Sequence, residues 1–325
     1  MKVFEQINRG YNNTFKPGEL TLGVVIPVEN YDQGPIPTME NHVKRVKMID
    51  ELGFKALWVR DIPINIPSFG DAGQTFDPFT YLAFLAGQTT KIALGISSIA
   101  LPLHHPLTIA KSASSIDVLS EGRMILGVAS GDRPQEYPAM NIDFENRGQL
   151  FRDAFDYMRN AQESFPRFTS QHYGGLNGQM DVLPKPTAHK IPLLITGSSR
   201  QSLKWNAKNG DGWMSYPRNL YEQKQVISQY RALVEQYGNF DQPFMQPLYI
   251  DLMEDNHFKP QPIHLGFRIG IEYLNDYVLK LKEIGVNHLA FNLRFNKANM
   301  EETLHRLNEE VIPHFHNDYR EAFTS

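Results

Sequence analysis

The sequence predicts a single (β/α)8 TIM barrel over residues 1–325, with insertions in the loops at the C-terminal face of the strands. Short apolar runs alternate with amphipathic segments eight times in order, the signature of a parallel sheet, and eight units close a barrel of ~250 residues. The remaining chain falls into four longer connections, Ile62 to Pro78, Asp132 to Asn146, Arg167 to Lys190 and Met253 to Gly266, each after a strand or within a crossover. Turns from helix to strand are tight by contrast, as in Leu52-Gly53-Phe54 and Ser120-Glu121-Gly122-Arg123. An open doubly wound sheet is the alternative. It wants a Gly-rich first turn, which Ile26-Pro27-Val28-Glu29-Asn30 does not provide.

The first strand is LTLGVVIPV, Leu20 to Val28, followed by a helix from about Met39 to Leu52. Val43, Val46, Met48, Ile49 and Leu52 share one face of that helix, and Gly53 ends it. FKALWVRD (Phe54 to Asp61) is the second strand, with a helix near Phe79 to Gln88. IALGISSIAL (Ile92 to Leu101) is the third, with a helix from about Leu107 to Ser120, and RMILGVASG (Arg123 to Gly131) the fourth, with a helix near Gly148 to Glu163. IPLLITG, GWMSYP, PLYIDL and VNHLAFNLR complete the strands.

Composition narrows the function classes. Hydrophobic residues are 41% and charged residues 21% of the chain, enough apolar material for a large core and too much for disorder. A net charge of -4 without any Lys/Arg-rich block argues against a nucleic-acid partner. With no cysteine, disulfides, thiolate metal sites, iron–sulfur clusters and Cys nucleophiles are excluded. The start, MKVFEQINRGYNNTFKPG, has no apolar signal core. The uncharged stretch Ile92 to Ala110 is broken by Gly95, Pro102, Pro106 and two histidines, so it is a poor membrane span. A soluble, cytoplasmic protein with no membrane partner is expected.

Barrel active sites lie at the C-terminal ends of the strands, and candidates are sought there. Gly197, Ser198, Ser199, Arg200, Gln201 and Ser202 lead from a strand into a helix. A sharp turn, hydroxyls, an arginine and free amides there suit a phosphate, though an ordinary Ser N-cap explains the same residues. Ser97 and Ser98 near the end of the third strand would let a flat ligand approach the backbone. His104 and His105 follow. As neighbours they share no helix face, and no carboxylate stands at metal-ligand spacing, so a ligand hydrogen bond or a loop cap is favoured over metal. Trp213 after Gly210-Asp211-Gly212 walls a cofactor pocket or sits in the core. Arg60 and Asp61 at the end of the second strand and Arg294 at the end of the eighth point toward the mouth, as ligand contacts or as partners of one another. Aromatics from Phe69 to Phe79 offer an apolar lid. Asp117 and Arg123 flank a turn at the opposite face and read as structural. There is no nucleophile elbow, P-loop or zinc-binding His-Glu-x-x-His.

LGISSIALPLHHPLTIAKSASSIDVLSEGRMILGVASG, Leu94 to Gly131, resembles the hallmark block of the bacterial luciferase-like flavin-dependent monooxygenase family. Its elements are the small pair, the Pro-x-x-His-Pro step, a helix with an Ala and an Asp, then Leu-Ser-x-Gly-Arg and an apolar strand ending in Gly. Glu136 followed by Arg147, and PLLITGSSRQSL…NGDGW from Pro192 to Trp213, resemble further pieces in the same order.

The resemblance implies a (β/α)8 barrel that binds reduced FMN, or a deazaflavin coenzyme in some branches, at its mouth. By the same resemblance Ser97-Ser98 aligns with a non-prolyl cis peptide that presses on the flavin ring. Gly197 to Ser202 would hold the flavin phosphate, and Ser130 and Gly131 would lie beside the ring or ribityl chain. The chemistry implied is oxygen activation in a dry site, oxidising a small organic substrate. Reduced FMN would come from a separate NAD(P)H-dependent reductase, and a homodimer is expected, with the helices after the first and third strands as its interface.

Two departures stand out. Asp61 occupies the place of a histidine at the end of the second strand, and Ser130 that of a phosphate-binding arginine, whose charge Arg200 would take over. The general base is then Asp61, His104 or neither. A deazaflavin-dependent reductase or dehydrogenase, a non-catalytic flavin-binding protein and a plain phosphate-binding barrel enzyme such as an isomerase are the rival readings.

Overall fold

Eight parallel strands close on themselves: β1 (Thr21–Val25), β2 (Ala56–Val59), β3 (Ala93–Ala100), β4 (Met124–Ala129), β5 (Leu193–Thr196), β6 (Gly212–Met214), β7 (Phe244–Leu252) and β8 (His288–Asn292). The computed structural model describes residues 3–316. Each strand pairs with the next in sequence, β6 pairs with β7, and β8 pairs back onto β1 with Thr21 opposite His288. The main helices alternate with them: α1 (His42–Glu51), α2 (Pro78–Ala86), α3 (Pro106–Leu119), α4 (Arg147–Ala161), α5 (Leu203–Asn209), α6 (Leu220–Tyr237), α7 (Ile271–Glu283) and α8 (Met300–Glu310). Asp77 accepts from Thr80 N at 2.7 Å to start α2, and Ser202 accepts from Trp205 N at 3.2 Å to start α5.

Alternation along the strands sorts the core. Leu57, Val59, Leu94, Ile96, Met124, Leu126, Leu193 and Ile195 face the helix layer. Ala56, Trp58, Ala93, Ile125, Leu194, Met214, Met245 and Ala290 face the barrel axis. Both faces are apolar, so the strands read as continuous hydrophobic runs. Trp58 fills the axis, and a Cβ at Gly95 would collide with its ring. Trp58 Nε1 donates to His288 Nε2 at 2.9 Å, while His288 Nδ1 lies 2.7 Å from Thr21 Oγ1. Complete burial, with His316 nearby, pushes His288 down to about 3, so it is a neutral structural group. Phe4, Ile7, Tyr11 and Phe15, on and around the short helix Arg9–Thr14, plug the N-terminal end of the barrel.

Asp117 and Arg123 are structural but do not pair with each other. Asp117 accepts from Asn8 Nδ2 at 2.8 Å and from Thr187 N and Oγ1 at 2.8 and 2.7 Å. Arg123 donates to the carbonyls of Ala86, Thr89, Ile92 and Ser120 and to Thr89 Oγ1. One long connection departs from expectation. Arg167 to Lys190 links a helix to a strand and so starts from the lower face. It forms a hairpin of Arg167–Thr169 with Gly175–Asn177 whose Tyr173 reaches His105 at the start of α3, ring centroids 5.7 Å apart. Among the described residues no helix is long and apolar enough to cross a membrane.

Candidate active site

The C-terminal mouth holds a cleft whose floor is apolar, from Val25, Met214, Met245, Pro247 and Ala290. Its walls are polar: Ser97, Ser98, Thr196, Ser215, Tyr216, Tyr249, Asn292 and Arg60. β3 meets β4 in register up to Ile96, opposite Leu126, then resumes at Ile99 opposite Val128. The extra residue makes a bulge, and the Ser97-Ser98 peptide within it is cis. The bulge places both serines on the cleft wall.

Beside this wall, Asp61 and His104 come together. Asp61 Oδ2 accepts from Ala100 N at 3.1 Å and lies 2.8 Å from His104 Nε2. The Asp61 side chain is 2% exposed and that of His104 26%. Burial pulls the His104 pKa down, but the hydrogen bond and charge of Asp61 outweigh it and raise the value. His104 and His105 both open on an outer groove between α2 and α3 rather than on the cleft. His105 accepts from Leu107 N at 3.3 Å as the cap of α3. Neither histidine belongs to a metal-ligand group among the described residues.

Glu136 lies within electrostatic reach of both Asp61 and His104. Burial pushes it up to about 7, with Arg133 opposing and Asp61 and Asp132 adding to the rise. Its Oε1 is buried without a hydrogen-bond partner. Ser130 and Gly131 follow β4 and pack against Tyr137, whose hydroxyl donates to the Ser130 carbonyl. A Cβ at Gly131 would come 2.5 Å from that hydroxyl oxygen. Neither residue contributes to the cleft walls.

Across the mouth, the turn after β5 has Gly197, Ser199 and Arg200 at positive φ (57°, 46° and 59°). Gly197 lines the cleft, and a Cβ there would meet nothing within 4 Å. Ser199 Oγ donates to Thr196 O at 2.8 Å, and Gln201 Nε2 donates to Gly148 O at 2.8 Å. Ser198, Arg200 and Ser202 are exposed. Arg200 and Gln201 face a second groove with Gly148 and Arg152, so the turn stands between cleft and groove. Trp213 lies in the layer between barrel and helices, against Tyr230 and Phe244 at 4.9 and 5.4 Å. It reaches the site through its Nε1, which donates to Gly197 O at 2.7 Å.

Arg60 and Arg294 meet at Asp71, in the connection after β2. Arg60 Nη1 and Nη2 donate to the two Asp71 oxygens at 2.9 and 3.0 Å. Of the aromatics in that connection, Phe69 lies under Arg133, 4.8 Å from its guanidinium, whereas Phe76 packs outward on Tyr81 and His42. Only the first is near the mouth. Tyr249 and Asn292 escaped the sequence reading, although each sits two residues beyond an axis-facing strand position, Pro247 and Ala290. That period was the available signal. Asp71 had none, because its role depends on arginines from two distant strands.

The sequence profile of a family described as luciferase-like monooxygenase matches residues 20–250. The alkanal monooxygenase beta chain of Photorhabdus luminescens is 29% identical over 217 residues, 64% of this chain and 60% of that protein. The match thus spans under two thirds of that relative's length. Two solved structures share the fold. The oxygenating constituent of 3,6-diketocamphane monooxygenase from Pseudomonas putida, a type II Baeyer-Villiger monooxygenase in complex with FMN, has a TM-score of 0.73 at 15% identity, covering 92% of this chain and 99% of that one. The coenzyme F420 dependent tetrahydromethanopterin reductase from Methanopyrus kandleri has a TM-score of 0.72 at 16% identity, covering 92% and 100%. At such identities the likeness is one of fold alone.

Proposed function

Because this chain belongs to the luciferase-like monooxygenase family, we propose that it is an oxidoreductase using reduced FMN and molecular oxygen to oxidise a small organic substrate. The observation that carries this reading is the cleft, with its apolar floor, hydroxyl and amide walls and the Ser97-Ser98 bulge. A flat ring with polar edges fits such a donor set, and the open face of Gly197 fits the close approach of a ligand. Reduced FMN, when bound, supplies the electrons that activate oxygen.

The chain's own residues supply the rest. Val25, Met214, Met245 and Ala290 keep water from the floor, while Ser97, Ser98, Thr196 and Asn292 orient the ring through hydrogen bonds. Gly197 to Ser202, with Arg200 and the neighbouring Arg152, are assigned to the phosphate. Ser130 and Gly131, held against Tyr137 outside the cleft walls, are given no contact with the ring. Asp61 and His104 are assigned as a proton-holding pair behind the Ser97-Ser98 wall; neither side chain lines the cleft, and His104 opens on the outer groove, so the pair would act through that wall and not by touching substrate.

The electrons are assigned to a separate NAD(P)H-dependent flavin reductase, and the protein is read as a cytoplasmic homodimer. Phe84, Val118 and Leu119 leave apolar surface on α2 and α3. That favours the helices after β2 and β3 as the interface, in place of the helix after β1.

The deciding experiment is a titration with reduced FMN and with a reduced deazaflavin, followed by oxygen admission and measurement of oxygen uptake. Binding of FMN with substrate-dependent oxygen consumption is expected. Binding of the deazaflavin alone, with hydride transfer and no oxygen uptake, would replace this reading with a reductase. Tight flavin binding without turnover would leave a binding protein, and binding of neither would remove the flavin.

A further inference from the structure

On the β1, β2 and β8 side of the mouth, positive charge exceeds what the local carboxylates balance. Arg60 and Arg294, only 19% and 12% exposed, share the single carboxylate of Asp71, itself 11% exposed. Arg133 joins them, its Nη2 donating to the Asp71 carbonyl at 3.2 Å. Burial raises the Asp71 pKa, but Arg60, its hydrogen bonds and Arg294 lower it further, so Asp71 is already ionised and spent on the pair. Arg133 also acts on Glu136, which burial and its carboxylate neighbours Asp61 and Asp132 hold up to about 7.

The surrounding phenols add no negative charge. Burial holds Tyr31, Tyr216 and Tyr249 above their ordinary value, leaving them neutral donors. Arg60 Nε, Arg294 Nε and Arg133 Nη1 are buried with no hydrogen-bond partner. A desolvated cation without an opposite charge is costly, and an anion entering the site recovers that cost. Arg60 lines the cleft together with Tyr216, Tyr249 and Asn292. The Gly197 turn, after β5, lies at the other side of the same cleft, so the two polar ends are separate.

We propose that the mouth binds a small organic anion, a carboxylate or sulfonate, through Arg60, with Tyr216, Tyr249 and Asn292 as further donors and Arg294 and Arg133 supplying the charge behind it. That this anion is the substrate rests on the flavin reading above; the binding site itself does not.

The test is calorimetric titration of the full chain without flavin, using benzoate against its neutral isostere benzamide at low and high NaCl. Benzoate should bind ~10-fold more tightly at low salt, as expected for one charge-assisted contact, and the advantage should shrink with salt. Arg60→Gln should abolish the preference, and Asp71→Asn, which frees the guanidinium fork, should enlarge it. Equal affinity of the two probes, no measurable benzoate binding, or a preference that survives Arg60→Gln would overturn the proposal. If Arg60→Gln does not fold, the wild-type comparison and Asp71→Asn decide.

FMN and riboflavin are titrated on the same samples. Collapse of the FMN-over-riboflavin preference in Arg60→Gln would also overturn the proposal, by giving the cluster to the cofactor phosphate. A protein that prefers benzoate but binds no flavin keeps the anion site and loses the flavin reading. The converse result removes the anion site alone.

Discussion

Replacing Glu136 by glutamine should stabilise the protein at about pH 8 and leave it nearly unchanged at about pH 4, below the unfolded value. Glu136 is 3% exposed, and its Oε1 has no partner. Burial lifts it from 4.5 to about 7. Since the folded value lies above the unfolded one, folding favours the protonated form. That contribution is fully present below the unfolded value and is lost as the pH rises through about 7. At ~1.36 kcal/mol per pH unit the displacement corresponds to at most ~3.4 kcal/mol. Relaxation of the surrounding polar groups screens part of it, leaving ~1–2 kcal/mol at alkaline pH. Glutamine keeps the shape and cannot ionise. With an unfolding entropy of ~2.1 cal/mol/K per residue, a chain of this length should gain ~2 °C in melting temperature. Thermal melts of both proteins at the two pH values measure it. An equal difference at both pH values, or a less stable variant at pH 8, would refute the reasoning.

Three further outcomes are expected. Asp61→Asn should lower the titration midpoint of His104, because the charge of Asp61 is the main opponent of burial and only the weaker influence of Asp77 and Glu136 would remain; NMR of the imidazole reads it, and an unmoved midpoint would dissociate the pair. Gly95→Ala should destabilise the fold by ~2–3 kcal/mol in urea, since the added methyl meets the Trp58 ring inside a filled barrel axis; a neutral result would mean that the axis can repack. Trp213→Phe removes the shorter of two hydrogen bonds to Gly197 O, the other coming from Asn206 Nδ2 at 3.2 Å, at a cost of ~0.5–1.5 kcal/mol. FMN affinity, followed by flavin fluorescence, should weaken ~10-fold, and unchanged affinity would separate the turn from the cofactor.

The eight strands were legible because their signals are local. An apolar run such as Ile92 to Leu101 needs no partner to announce a strand, and Pro78 and Pro106 open α2 and α3 at their first turns. Candidates at strand ends followed from the barrel rule alone, which is why Asp61, His104, Ser97 and Gly197 could be named individually. Their relations could not. His104 is 43 residues from Asp61 in sequence, and the pair forms only where the loop after β3 folds back over the end of β2. The loss of Ser130 and Gly131 from the cleft wall depends on Tyr137 occupying the space beside them.

The charge at the mouth separates the two kinds of information most clearly. Sequence by itself determined that Arg60 and Arg294 end the second and eighth strands, since strand periodicity and the order of units are properties of the chain. Only tertiary structure decided that both arrive at Asp71, in an insertion without periodicity, and that they arrive buried. Barrel closure places β8 beside β1 and thereby near β2. Desolvation then turns a shared carboxylate into an excess of positive charge, because a Coulomb interaction depends on distance and surroundings, neither of which is written in residue order.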